Sequence, residues 1–87
     1  MHAVIFRVSL KNREAAEKFL KEELVPMISQ APGFISGHWV NVDGDKGRSM
    51  LIFESEEAAK QAAEGDQPPE AVVAIESVEF GEVVAHA

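Results

Sequence analysis

Residues 34–54 read FISGHWVNVDGDKGRSMLIFE, two strand-like runs around a polar loop. Phe34 to Val42 and Ser49 to Glu54 are rich in β-branched and aromatic residues, and Asp43-Gly44-Asp45-Lys46-Gly47 between them has hairpin-loop chemistry. A hairpin at this point pairs two consecutive strands directly. Whatever flanks it must therefore supply the crossovers. With the turn centred on Asp45, Trp39 is expected opposite Leu51, Gly37 opposite Phe53 and His38 opposite Ile52.

Upstream, Pro32-Gly33 suits a type II turn, because glycine accepts the positive φ at its third position. Before it, Ala16, Phe19, Leu20, Leu24, Met27 and Ile28 recur at three- and four-residue spacings, with Glu17, Lys18, Lys21 and Glu22 on the other side. This predicts an amphipathic helix from Arg13 to Gln30, capped by Asn12 and kinked at Pro26, which has no N–H to donate. Further upstream, Val4, Phe6, Val8 and Leu10 alternate with Ala3, Ile5, Arg7 and Ser9, as in a strand. Downstream, Ser55 caps a short alanine-rich helix whose first turn holds Glu56 and Glu57. Gly65 ends it, and Gln67-Pro68-Pro69 makes an extended connection. Val72 to Ala85 is the last strand, with a bulge expected at Gly81. The order β-α-β-β-α-β is the split βαβ pattern: an α+β fold of ferredoxin-like topology over residues 1–87, with an antiparallel sheet and both helices on one face.

That architecture leaves one sheet face bare. Val4, Phe6, Val8, Trp39, Leu51 and Phe53 are expected beneath the helices. Ile5, Arg7, His38, Val40, Met50 and Ile52 are expected on the opposite face, joined by Glu79 as partner for the Arg7 guanidinium. A bare face carrying Ile5, Met50 and Ile52 calls for a partner, and a second copy of the chain is expected there.

Composition narrows the function classes. The 87 residues carry a net charge of −7, and the 8 basic residues are scattered rather than clustered, so a nucleic-acid surface is not expected. No run approaches the ~18 apolar residues of a membrane span. Met1 to Leu10 lacks a basic segment followed by an apolar one, so a secretory leader is not expected either. Without cysteine, disulfides and thiolate nucleophiles are excluded and the usual soft metal ligands are missing, in keeping with a cytoplasmic protein. Asp43-Gly44-Asp45-Lys46-Gly47 with Glu54 imitates a calcium loop, but Arg48 stands where glycine is needed and Gly47 where an oxygen ligand is needed. His2 and His86 are expected near each other on the paired first and last strands, without a third ligand, so no metal site is assigned.

Pro32-Gly33-Phe34 after a long helix, Phe53-Glu54-Ser55-Glu56-Glu57-Ala58-Ala59 opening the second helix, and the closing Val78-Glu79-Phe80-Gly81-Glu82-Val83-Val84 resemble the dimeric α+β barrel superfamily. The resemblance is nearest its antibiotic-biosynthesis-monooxygenase-like proteins and spans nearly the whole chain. It implies two sheets closing into a barrel at a dimer interface, and a ligand cleft between sheet and helices. The implied activities are cofactor-independent monooxygenation of aromatic polyketides and haem degradation. The haem-degrading branch uses an Asn on the first strand, a Trp at the end of the third and a His on the second helix. Phe6 and Phe53 take the first two places here, and no His lies between Ser55 and Gly65. Haem degradation is therefore not expected.

The candidate ligand site is the helical-side set Phe6, Phe19, Trp39, Leu51 and Phe53, expected to accept a small aromatic or apolar molecule. Trp39 suits a cleft wall stacking on a flat ligand, but the large core filler is the more ordinary role for a tryptophan at such a position. No residue receives a catalytic role and no cofactor is implied. A cofactor-independent oxygenase, a non-catalytic ligand-binding or stress-associated dimer, and a structural module all stay open. Two or more polar side chains converging in a cavity would favour the enzyme.

Overall fold

A computed structural model describes residues 1–64 and 73–87. Its elements are β1 (His2–Leu10), α1 (Arg13–Phe19), a π-helical turn (Leu20–Leu24), α2 (Val25–Ser29), β2 (Phe34–Val42), β3 (Lys46–Phe53), α3 (Glu56–Glu64) and β4 (Val73–Glu82). The expected caps are in place: the Asn12 side chain accepts from the Ala15 N–H at 3.1 Å, and the Ser55 hydroxyl from the Ala58 N–H at 3.2 Å. Instead of a simple kink at Pro26, the helix widens before it, and the Val25 N–H donates to the Leu20 carbonyl five residues back. Pro26 has no N–H for the Glu22 carbonyl, so the α ladder cannot run through this turn unbroken. The end of the second helix at Gly65 and the 67–69 connection lie outside the described residues.

The sheet order is β2-β3-β1-β4, with every adjacent pair antiparallel. This is the ferredoxin-like α+β fold that the sequence pattern predicted. Two register expectations need correction. The hairpin turns on Asp43 and Gly44, both at positive φ (54° and 77°), so Trp39 faces Ser49, His38 faces Met50 and Gly37 faces Leu51. The offset is two residues. Because side chains alternate with a period of two, it leaves every side chain on its expected face. The bulge in β4 is not at Gly81, which pairs with Ala3. Arg7 pairs with Ser77 and Val8 with Ile75, which makes Glu76 the extra residue.

The core lies between sheet and helices, around Val4, Ile28, Leu51, Phe53 and Ala59. Phe53 and Val4 are fully buried, and Phe53 meets Phe34 edge-on with centroids 5.7 Å apart. The slim α3 settles close to the sheet through Ala59, with Ala58 over the Gly33 turn. At Gly33 φ is +79°, and an added Cβ would stand 2.9 Å from the Ala58 Cβ. Gly33→Ala combines left-handed strain with a collision, so a loss of about 1–3 kcal/mol is expected. A melting temperature lowered by at least about 4 °C is the readout. An unchanged melting temperature would mean that the turn relaxes freely.

Candidate functional site

Two apolar cavities, each about half open to solvent, lie between sheet and helices. The outer one, about 260 Å³, is lined by Leu10 of β1, Ala16 and Glu17 of α1, Leu20 and Lys21 of the π turn, Trp39, Val40 and Asn41 of β2, Gly47 and Arg48 of β3, and Val73 of β4. The inner one, about 70 Å³, is lined by Phe6, Val8, Leu24, Ile28, Trp39, Ser49, Leu51, Ala62, Ala63 and Ile75. Trp39 is the residue common to both walls.

Small residues hold the arrangement open. A Cβ on Gly37 would lie 3.0 Å from Cη2 and 3.2 Å from Cζ3 of Trp39, so the indole lies against bare backbone two residues back along its own strand. A Cβ on Gly47 would stand 2.8 Å from Val8 Cγ2, and its absence leaves space in the outer wall. Sequence reasoning had not assigned a role to either glycine. Their signal was glycine inside a strand, which marks a close approach of neighbouring groups.

The five sequence-predicted site residues separate in the structure. Trp39 borders both cavities, and Phe6 and Leu51 border the inner one. Phe53 is fully buried and forms core, and Phe19 lines neither cavity. Of those five residues only Trp39 lies in the outer wall. Glu17, Lys21 and Asn41 bring polar groups to it. Glu17 accepts from Arg13 Nε at 3.2 Å, and Asn41 Nδ2 donates to the Gly44 carbonyl at 3.0 Å. The Asn41 commitment uses a donor and leaves Oδ1 as an acceptor.

The opposite sheet face carries Ile5, Arg7, His38, Met50, Ile52 and Glu79. Met50 and Val40 are exposed, at 44% and 54%. Arg7 stands across from Arg48 on β3, and its Nε lies 3.6 Å from Glu79 Oε1. Lys46 Nζ reaches Glu76 Oε1 at 2.9 Å and Ser9 Oγ at 3.0 Å, and the Ser9 hydroxyl donates to the same carboxylate. The bulge directs Glu76 into this group. The Ser9 hydrogen bond, then that of Lys46, lowers the Glu76 pKa, and the Glu76 hydrogen bond raises that of Lys46. His2 contacts Glu56 of α3 at 3.8 Å. Among the described residues no group of three or more His, Cys, Asp or Glu side chains is placed to hold a metal, and no helix is long and apolar enough to cross a membrane.

This sheet, roofed by helices on one side, has the fold of the antibiotic-biosynthesis-monooxygenase-like proteins. SnoaB from Streptomyces nogalater, a cofactor-independent oxygenase, superposes with a TM-score of 0.77 at 10% identity, over 98% of this chain and 94% of its own. A dimeric ferredoxin-like protein from an uncultured marine organism gives 0.61 at 18%, over 100% and 98%. The haem-degrader MhuD of Mycobacterium tuberculosis, with two haems bound in its active site, gives 0.63 at 19%, over 100% and 99%. No family model and no curated protein matches the chain. At these identities the likeness is one of fold.

Proposed function

We propose that the chain is a cofactor-independent monooxygenase-like protein, acting as a homodimer, that takes a small flat aromatic ligand in the outer cavity. The observation that carries this reading is an apolar cavity of about 260 Å³ walled by the indole of Trp39, with Glu17, Lys21 and Asn41 supplying polar groups. Its volume is just below the ~300–1,000 Å³ of drug-sized ligand pockets, which suits a small ligand. An activated aromatic substrate supplies the electrons that reduce dioxygen. The protein's tasks are then to bind the ring, orient it and exclude water. The named oxygenase among the structures of like fold supports this class.

The homodimer uses the open sheet face, with Ile5, Met50 and Ile52 in the contact, His38 beside them and the Arg7–Glu79 pair among them. Support comes from the exposure of apolar side chains on that face and from the named dimer of like fold. A non-catalytic ligand-binding dimer is the second reading. It is favoured by the ties that already hold Glu17 to Arg13 and the Asn41 amide to Gly44.

Trp39 is the only tryptophan, so the protein's tryptophan emission reports on the walls it forms. Titration with bicyclic phenols and quinols is expected to shift or quench that emission saturably, and consumption of dioxygen with a bound quinol would distinguish enzyme from binder. Haem is expected to bind poorly and to survive incubation with ascorbate, because a porphyrin exceeds the cavity and Phe6 and Phe53 offer it no polar contact. Haem turnover would overturn the reading, as would indifference of Trp39 to the whole aromatic panel.

A further inference from the structure

The inner pocket is smaller than the outer one and, like it, about half open to solvent. Its volume is about 70 Å³, and Phe6, Val8, Leu24, Ile28, Leu51 and Ile75 supply most of its wall. Among the described residues of that lining, the Ser49 hydroxyl and the Trp39 indole N–H are the side-chain polar groups. A buried water is usually held by about three hydrogen bonds, and dry cavities of about 150 Å³ lined by such residues take up benzene or xenon. At half that size, this chamber is too small for an aromatic ring and large enough for a diatomic gas.

We propose that the inner chamber is a dioxygen pocket, a site for a small non-polar co-substrate set directly behind the indole that walls the organic ligand. The proposal deepens the oxygenase reading and rests on it for the identity of the gas. Two features make the space. Helix α3 offers only the methyl groups of Ala62 and Ala63 where longer side chains would reach in, and Trp39, lying against Gly37, forms a wall shared with the outer cavity. A gas held there is separated from the ring in the outer cavity by the thickness of one side chain. Movement of that side chain would bring the two together.

Two measurements on the full chain test this. In a crystal pressurised with xenon, a xenon atom is expected among Phe6, Leu51 and Ile75, and absent in Ala62→Leu and in Leu24→Phe, which fill the chamber from different walls. In solution, dioxygen is expected to quench Trp39 emission at least twofold less effectively in Ala62→Leu than in the unaltered protein, while quenching by acrylamide, which is polar, stays the same. Xenon absent from the chamber of the unaltered protein, or seated only in the outer cavity, overturns the proposal. So does dioxygen quenching that ignores both substitutions. The aromatic titration reads the outer cavity separately. Xenon in the chamber with no response to aromatics keeps a gas pocket and removes the oxygenase reading, and the reverse result removes the pocket alone.

Discussion

Ile52→Asp is expected to abolish self-association at micromolar concentration. Ile52 sits on central strand β3, paired with Ala3 of β1 on one side and Ser36 of β2 on the other, so it cannot turn away from the open face without breaking the sheet. In the proposed dimer it enters a dry contact beside Ile5 and Met50. A carboxylate there has no basic residue directly across from it, since Ile52 pairs with Ala3 and Ser36, while Arg7 is engaged by Glu79 and Lys46 by Glu76. Leaving a charge buried and unpaired costs about 3–5 kcal/mol, at least a hundredfold in the dissociation constant. Sedimentation equilibrium should show a dimer for the parent chain and a monomer or an unfolded chain for the variant. Ile52→Val, which removes one methylene, should remain dimeric. A parent chain that sediments as a folded monomer would refute the interface outright.

Phe53→Ala is expected to remove about 3–5 kcal/mol of folding stability. Phe53 is fully buried at the end of β3, pairs with His2 and Phe34 in the sheet, and receives the edge-on contact of the Phe34 ring. Truncation empties the centre of the cluster formed by Val4, Leu51 and Ala59. Alanines cannot lean in to refill it. Against a total of about 5–15 kcal/mol for a typical domain, the loss is a large share. Urea unfolding at a fixed chain concentration should show a much lower midpoint with a similar slope, and Phe53→Leu should lose less than half as much. A loss below about 1 kcal/mol would mean that Phe53 belongs to a ligand wall rather than to the core.

The fate of Phe53 shows which parts of the molecule could be read from the chain. Period-two alternation assigned faces correctly, because a strand residue has only two directions to choose from. That is why Arg7 and Glu79 are found together and why a two-residue error in the hairpin did no harm. Depth is another matter. Alternation places Phe6, Leu51 and Phe53 on one face but does not say which is core and which borders space, since that depends on where the helices cross. Phe19 fails for the same reason: an apolar helix position need not lie over a gap. The cavities themselves depend on what is missing, at Gly37, Gly47 and Ala62, and a pattern of hydrophobic residues carries no mark for a vacancy. The bulge at Glu76 was equally hidden, because it serves a polar cluster assembled from β1, β3 and β4.

The π turn gives the roof of the site its alignment. Ala16, Leu20, Leu24 and Ile28 follow one another at intervals of four, and in an ideal α-helix each step of four overshoots a full turn by about 40°. Over the three steps the stripe would wind about a third of the way round the helix, and Ile28 would look away from the sheet that Ala16 covers. A wider turn between Leu20 and Leu24 advances less per residue and cancels part of that winding. Ala16 and Leu20 thus stay over the outer cavity, and Leu24 and Ile28 over the inner one. The helix works as a vernier: an eleven-residue advance of ordinary α-helix ends within about 20° of three full turns, and the wide turn takes up the twelfth residue between Ala16 and Ile28, so both halves stay over the floor they roof.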